Sequence, residues 1–259
     1  MLGSATDHAG ELQLFALILT RVSSMVLIAP VFGAKTIGPR MRATLAVALA
    51  LVIMPLELER TPTAPAGGAQ FVVLLGAEAL IGLTLGLGVL VLFSGIQVAA
   101  QIIGQMSGLQ LADVFNPGVD TNQPALSQLM FYLTLAVFVA LGGHRTVMEA
   151  LLDTFTWLPA GRGEFSRSAT EAMTSLLTQS FVLGVRAAAP AMLALLLSTL
   201  ILGLVSRALP QMNLLVLGFG FQTLVALGVV GLSLGTAAWI FSEQLETTLH
   251  TIHGALRLR

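Results

Sequence analysis

The chain has 259 residues, of which 56% are hydrophobic and only 10% are charged, and its formal net charge is −1. In an ordinary soluble domain about a quarter of the residues are charged, so this composition excludes a typical water-soluble fold. No region is basic enough to hold a phosphate backbone, which excludes a nucleic-acid partner. Without cysteine, the chain can form neither disulfides nor thiolate metal sites.

The first apolar run, residues 12–33, is long enough to cross a bilayer core of about 30 Å. The residues before it include Asp7, His8 and Glu11, whereas a cleavable secretory signal begins with a basic region. We therefore expect a membrane helix that is retained in the mature protein.

Five further apolar runs follow, at about 43–56, 71–112, 128–142, 176–206 and 209–242. A single crossing requires about 20 residues. The uncharged stretches 79–112 and 208–242 exceed this, so each predicts one long tilted helix or two apolar helices joined by a tight turn. The runs 43–56 and 128–142 are short for a span, which predicts hairpins buried among other subunits.

Proline and glycine mark the breaks between these runs, because they disfavour helix. The segments "PLELERTPTAPAGG" (55–68) and "LPAGRGEFSRS" (158–168) predict exposed loops. Pro190 and Pro210 lie inside apolar runs and predict kinked or terminated helices.

The distribution of basic residues gives part of the orientation. Lys35, Arg40 and Arg42 cluster after the first apolar run. The positive-inside rule places residues 35–42 on the cytoplasmic side and the neighbouring loops outside. No regular set of hairpins satisfies this pattern, so the number of crossings stays open.

Glycines four residues apart allow two helix backbones to approach closely in a membrane. Such pairs predict helix-packing positions at Gly82/Gly86, Gly104/Gly108 and Gly231/Gly235.

Four chargeable residues lie within or beside apolar runs and are candidates for buried charges: Arg21, Glu78, Arg186 and Arg207. At membrane depth such groups need a partner, hydration or an interface. Pairing between helices and a role in ion or substrate transport both fit this pattern.

A polar stripe precedes the most polar break in the chain. Gln97, Gln101 and Gln105 have the i, i+4 spacing of one helix face, and the segment "LADVFNPGVDTNQPAL" (111–126) follows them. The stripe fits a water-filled lumen or hydrogen bonds between helices.

Motifs of catalysis do not occur in the sequence. The chain has no HExxH metal motif, no GxSxG nucleophile elbow and no phosphate-binding GxxxxGK[ST] loop. The sequence therefore does not predict an enzyme.

Three stretches resemble the FliR family, the flagellar export-gate subunits whose virulence-secretion counterparts are called SctT. They are "RVSSMVLIAPVFGAKTIGPRMRATLAVALALVIMP" (21–55), "GQMSGLQLADVFNPGVDTNQPALSQLMFYLTLAVFVALGGHR" (104–145) and "RAAAPAMLALLLSTLILGLVSRALPQMNLLVLGFGFQ" (186–222). The resemblance extends in order from about residue 12 to about residue 242.

This resemblance implies an all-α integral membrane protein in which kinked helical hairpins pack into a helical hetero-oligomeric export gate. A FliP-like portion, about 1–175, would be followed by a FliQ-like hairpin and C-terminal tail, about 176–259. The implied partners are five FliP-type and four FliQ-type subunits, an FlhB-type switch protein, membrane lipid and unfolded flagellar proteins in transit. The implied location is the bacterial inner membrane at the flagellar basal body, and no cofactor is implied.

The resemblance also implies a role for the polar break. In such subunits a central loop, here about 108–123, enters the export channel and plugs the closed gate, while the Gln97/Gln101/Gln105 stripe faces the lumen. The plug residues would be Leu111, Asp113, Val114, Phe115, Asn116, Pro117, Gly118 and Asp120.

Two alternatives stay open at the level of the sequence. A small secondary transporter would use intramembrane Glu78 or Arg186 and should show inverted repeats, which the sequence does not reveal. A membrane scaffold would need the packing glycines but gives no reason for the polar central segment.

Overall fold

The computed structural model describes residues 2–33, 38–60, 67–109, 125–162, 167–208 and 218–232, together with positions 248 and 254. Every regular element within these ranges is a helix, which confirms the predicted all-α class. The helices are α1 (Leu2–Ile28), α2 (Pro30–Gly33), α3 (Pro39–Leu58), α4 (Gly68–Met106), α5 (Ala125–Ala140), α6 (Gly143–Trp157), α7 (Arg167–Ala208) and α8 (Gly218–Leu232).

Four of the described helices contain segments long and apolar enough to cross a membrane: His8–Ile28, Pro39–Leu58, Gly68–Met106 and Thr174–Ala208. A fifth span results if α5 and α6 are counted as one broken span. For the uncharged stretch 79–112, the sequence allowed one long helix or two helices joined by a tight turn. The structure has one helix of 39 residues, α4, which covers this stretch as far as Met106.

One expectation from a proline position was wrong. The loop predicted from Pro55 onward begins later, because α3 continues through Pro55 to Leu58. The run 43–56 is therefore part of a 20-residue helix, which is about 30 Å long at 1.5 Å per residue and is not short for a span. At Pro190 the helix is not terminated, because α7 continues to Ala208, and the predicted kink stays a prediction. Pro210 lies outside the described residues. A proline removes one helical hydrogen bond, and a long apolar helix can tolerate that loss.

The described helices fall into two compact units, which interleave along the chain. The first unit contains α1, α2, α3, α4 up to Val91, α6 and the start of α7 up to Leu177. The second contains the rest of α4, α5, the rest of α7 and α8. The division near residue 175 that the resemblance implies stays a prediction, since it concerns likeness to other subunits.

In the first unit, α1 and α4 are in close contact. A Cβ atom added at Gly82 would overlap Ser24 Oγ and the carbonyl oxygen of Arg21. One turn further, a Cβ atom at Gly86 would lie 3.0 Å from the carbonyl oxygen of Met25. The structure thus places the first predicted glycine pair at the crossing of α1 and α4.

In the second unit, α4 and α7 approach each other at two glycines. A Cβ atom at Gly95 would lie 2.6 Å from the carbonyl oxygen of Ser180, and one at Gly184 would lie 2.7 Å from the carbonyl oxygen of Gly95. The fully buried Phe93 packs beside this crossing, with its ring centroid 5.6 Å from that of Phe138. The sequence did not predict Gly184 as a packing position, because no second glycine lies four residues away.

The other predicted packing glycines behave differently. Gly104 is buried, whereas Gly108 has φ +74° and lies beyond the end of α4, against the ring of Phe219. Gly108 therefore ends the helix instead of packing within it, since only glycine adopts this backbone conformation without strain. Gly231 is exposed on this chain, and a Cβ atom added there would meet no described atom within 4 Å. Gly235 lies outside the described residues.

Replacing Gly82 by alanine should separate α1 from α4. Because the new Cβ atom would overlap Ser24 Oγ and a backbone carbonyl, we expect a loss of about 1–3 kcal/mol in the free energy of unfolding. The control is Gly76→Ala in the same helix, where a Cβ atom would meet no described atom within 4 Å. Thermal unfolding of the chain in detergent measures both variants. Equal midpoints for the two would contradict the close contact.

Candidate functional site

A buried ion pair joins α1 to α4. The Nε atom of Arg21 donates a hydrogen bond to Glu78 Oε2 at 2.5 Å, and both side chains are 0% exposed. The burial of Arg21 follows from helix periodicity, because it lies on the same face of α1 as the buried Ile18, Val22 and Met25. Glu78 lies one turn of α4 before Gly82, where the two backbones come closest.

The guanidinium of Arg21 also reaches the end of α6. Its Nη1 atom donates to the carbonyl oxygen of Leu158 at 3.0 Å and to Thr154 Oγ1 at 3.3 Å. Its Cζ atom lies 4.2 Å from the centroid of the Phe155 ring, a cation–π distance. The Arg21 side chain thus binds α1 to both α4 and the turn after α6.

Two carboxylates hold the backbone of that turn. The second oxygen of Glu78, Oε1, accepts from the Gly161 N–H at 2.9 Å. Glu57 Oε2, from the last turn of α3, accepts from the Ala160 N–H at 3.0 Å. Arg60 lies at the rim, with Nη1 3.8 Å from Glu57 Oε1. We call Arg21, Glu57, Glu78 and the turn 158–161 the polar cluster.

The polar cluster corrects the prediction of an exposed loop at 158–168. Leu158 and Ala160 are 7% and 2% exposed, and exposure begins at Arg162. The turn is buried because three charged side chains satisfy its backbone groups, which would otherwise lose water without compensation. Composition alone cannot show that a loop has such partners.

Glu57 was missed because it was assigned to a loop. A signal for it exists in the sequence, since Glu57 continues the spacing of the buried Ala46, Ala50 and Ile53 on one face of α3. That face could be extended only once the helix was known to continue past Pro55.

Arg186 and Arg207 are not buried within this chain, and their burial in an assembly stays a prediction. Both are exposed on this chain, because no other described residues cover the faces of α7 that carry them. Glu78, in contrast, is fully enclosed and both of its oxygens already accept hydrogen bonds. A transport site that combines Glu78 with Arg186 therefore receives no support. Within the described ranges, no group of three or more His, Asp or Glu side chains could hold a metal ion.

The glutamine stripe lies on the outer face of α4. Gln97 is partly exposed, and Gln101 and Gln105 are exposed. The opposite face of the same segment is apolar and buried at Ile96, Ala99, Ala100 and Ile103. The stripe is therefore turned away from this chain's own core. The predicted plug residues Leu111, Asp113, Val114, Phe115, Asn116, Pro117, Gly118 and Asp120 lie outside the described residues.

The chain has membrane-length helices, an ion pair in its core and a polar stripe on its outer face. These features define a helical membrane protein built around buried polar contacts. Residues 12–248 match the family model described as bacterial export proteins, family 1. The chain belongs to this family.

The chain is also similar to curated relatives over most of their length. It is 32% identical over 231 residues to the flagellar biosynthetic protein FliR of Pectobacterium carotovorum, covering 87% of each chain. It is 30% identical to FliR of Escherichia coli K12, covering 85% of this chain and 83% of the relative. It is 23% identical to the Yop proteins translocation protein T of Yersinia pestis, covering 82% of each. These matches confirm the predicted resemblance, and they make the chain a membrane-associated component of a type III export apparatus.

Removing one partner of the buried ion pair should be far more costly than removing a surface pair. In Glu78→Ala, Arg21 would keep its charge without a counter-ion, and we expect a loss of about 3–5 kcal/mol in the free energy of unfolding. The control is Glu149→Ala, which breaks the exposed Arg145–Glu149 pair and should cost less than about 1 kcal/mol.

Unfolding of the detergent-solubilised chain measures both variants. The double variant Arg21→Met/Glu78→Met should recover much of the loss, since it removes both charges together. If Glu78→Ala proved as mild as Glu149→Ala, the ion pair would not hold α1 to α4.

Proposed function

We propose that this chain is a core subunit of the flagellar type III secretion export gate. It would form part of the channel that conducts unfolded flagellar proteins across the bacterial inner membrane at the basal body, without bond-making chemistry of its own. The observation that carries the proposal is the family match over residues 12–248. Identity to flagellar relatives ranges from 23% to 32%, and identity to the Yersinia protein is 23%, so the upper part of the flagellar range supports the flagellar system.

The uncovered apolar surface supports assembly with other subunits. On α7, large apolar side chains are well exposed, among them Leu193 at 66%, Leu200 at 58% and Leu204 at 71%. On α3, Val52 is 67% exposed. Such surfaces require lipid or apolar protein. The proposed partners are five FliP-type and four FliQ-type subunits for each copy of this chain, and an FlhB-type switch protein.

The glutamine stripe supports a wet channel on one side of α4. Exposed amides in hydrocarbon would lose their hydrogen bonds to water, which costs free energy. Water or the polar backbone of a translocating chain would satisfy them. We therefore propose that Gln97, Gln101 and Gln105 face the lumen of the gate.

We further propose that the loop about 108–123 plugs the closed channel. The polar stripe of α4 precedes this loop in the sequence, and Gly108, with φ +74°, lies at the start of the loop just after the end of the helix. Val114 and Phe115 would supply an apolar stopper, and the turn Asn116-Pro117-Gly118 disfavours a continuing helix.

Deleting residues 112–122 should make the assembled gate leak small ions, because the stopper would be lost. Ion flux across inner-membrane vesicles that contain the gate measures this. A narrower pair of variants tests the chemistry: Val114→Ser with Phe115→Ser should also leak, whereas Asp113→Asn with Asp120→Asn should stay closed. Unchanged permeability of the deletion variant, with normal assembly, would contradict the plug.

Replacing the outer glutamines by leucine should slow export without preventing assembly. For Gln101→Leu with Gln105→Leu we expect about tenfold less exported substrate, the effect of about 1.4 kcal/mol on the barrier. The control is Gln101→Asn with Gln105→Asn, which keeps the amides and should retain export. Secreted flagellar protein in the culture medium measures both. Equal export by the two variants would place the stripe outside the conducting path.

A further inference from the structure

Helix α6 differs from α3 and α7 because most of its apolar residues are buried against its own chain. Its buried residues are Gly143, Val147, Ala150, Leu151, Thr154 and Phe155, whose spacing defines one helix face. That face packs into the first unit, close to the polar cluster. The apolar side of α6 is therefore already covered by its own chain.

The outer face of α6 is charged and open. Arg145 is 81% exposed and Glu149 is 56% exposed, and the two form a pair at 2.8 Å between Nε and Oε1. His144, one position earlier, is also exposed. An exposed pair of this kind is stable in water, whereas hydrocarbon would strip the hydration of both groups. The exposed faces of α3 and α7 carry mostly leucine and valine, with Arg186 and Arg207 as charged residues on α7. On α6 the exposed large apolar side chain is Leu152, at 42%.

The turn that follows α6 also has charged, exposed side chains beside it. Arg162 is exposed, and Arg60 is 46% exposed beside Glu57, which binds the Ala160 N–H. Arg60, just after α3, thus lies at the outer edge of the polar cluster, and Arg162 directly follows it. His144, Arg145 and Glu149 lie nearer the other end of α6. One isolated charge could be carried at an interface, but a helix face together with a neighbouring turn requires a water-facing region.

We infer that the outer face of α6, formed by His144, Arg145 and Glu149, is in contact with water in the assembled protein and not with lipid. Helix α6 is then a surface helix whose last turn contacts the polar cluster, and it is not half of a broken membrane span. Of the candidate spans among the described residues, the four long helices remain. This inference does not depend on the proposed lumen or plug.

Cysteine labelling tests the inference directly, because the chain contains no cysteine and each substitution introduces a single thiol. The variants are Arg145→Cys and Glu149→Cys on α6. The controls are Leu193→Cys and Leu204→Cys on α7, which are comparably exposed on the chain itself, at 66% and 71% for the native leucines. His144→Cys replaces either α6 variant that fails to accumulate in the membrane.

A membrane-impermeant maleimide is added to right-side-out and to inside-out vesicles, and each rate is normalised to that of the same protein denatured in SDS. Maleimide reacts with the hydrated thiolate, so the α6 positions should react about tenfold or more faster than the α7 positions in one of the two orientations. Rates at α6 as slow as those at α7 in both orientations would overturn the inference.

Discussion

The ion pair between Arg21 and Glu78 is the interaction on which the first unit depends. A buried charge that loses its partner destabilises a fold by several kcal/mol, whereas a paired charge is stabilised by its partner and by further hydrogen bonds. Here the pair also binds the carbonyl of Leu158 and the amide of Gly161, so that α1, α4 and the turn after α6 are fixed together. Glu57 adds α3 through the neighbouring amide. Because hydrophobic packing between apolar helices is weakly directional, these polar contacts define the register of the unit.

This internal polarity contrasts with the uncovered apolar surface of the same chain. The charged side chains of Arg21, Glu57 and Glu78 are enclosed, whereas leucines on α7 and valines on α3 remain open. In a protein that folded alone in water the arrangement would be reversed. The contrast is expected of a subunit whose environment is supplied by lipid and by other subunits, and it agrees with membership of a family of export proteins.

Physical reasoning from the sequence could predict the class and most of the helices, because composition and apolar run length are local properties. The family followed from the resemblance of three stretches to a known one. Physical reasoning also selected Arg21, Glu78 and the glycines at the crossing of α1 and α4. It could not predict that Pro55 lies inside a helix, and Glu57 was lost for that reason. The burial of turn 158–161 depends on partners distant in sequence, and the exposure of Arg186 depends on which helix faces meet. Both are properties of tertiary packing.

The central claim is that this chain is one subunit of a hetero-oligomeric export gate. The most direct test is native mass spectrometry of the chain, purified alone and after co-expression with the FliP-type and FliQ-type proteins of the same genome. The proposal predicts a defined complex that contains a single copy of this chain, with its apolar faces covered by the partners. A stable monomer or homodimer that ignores those partners would contradict it.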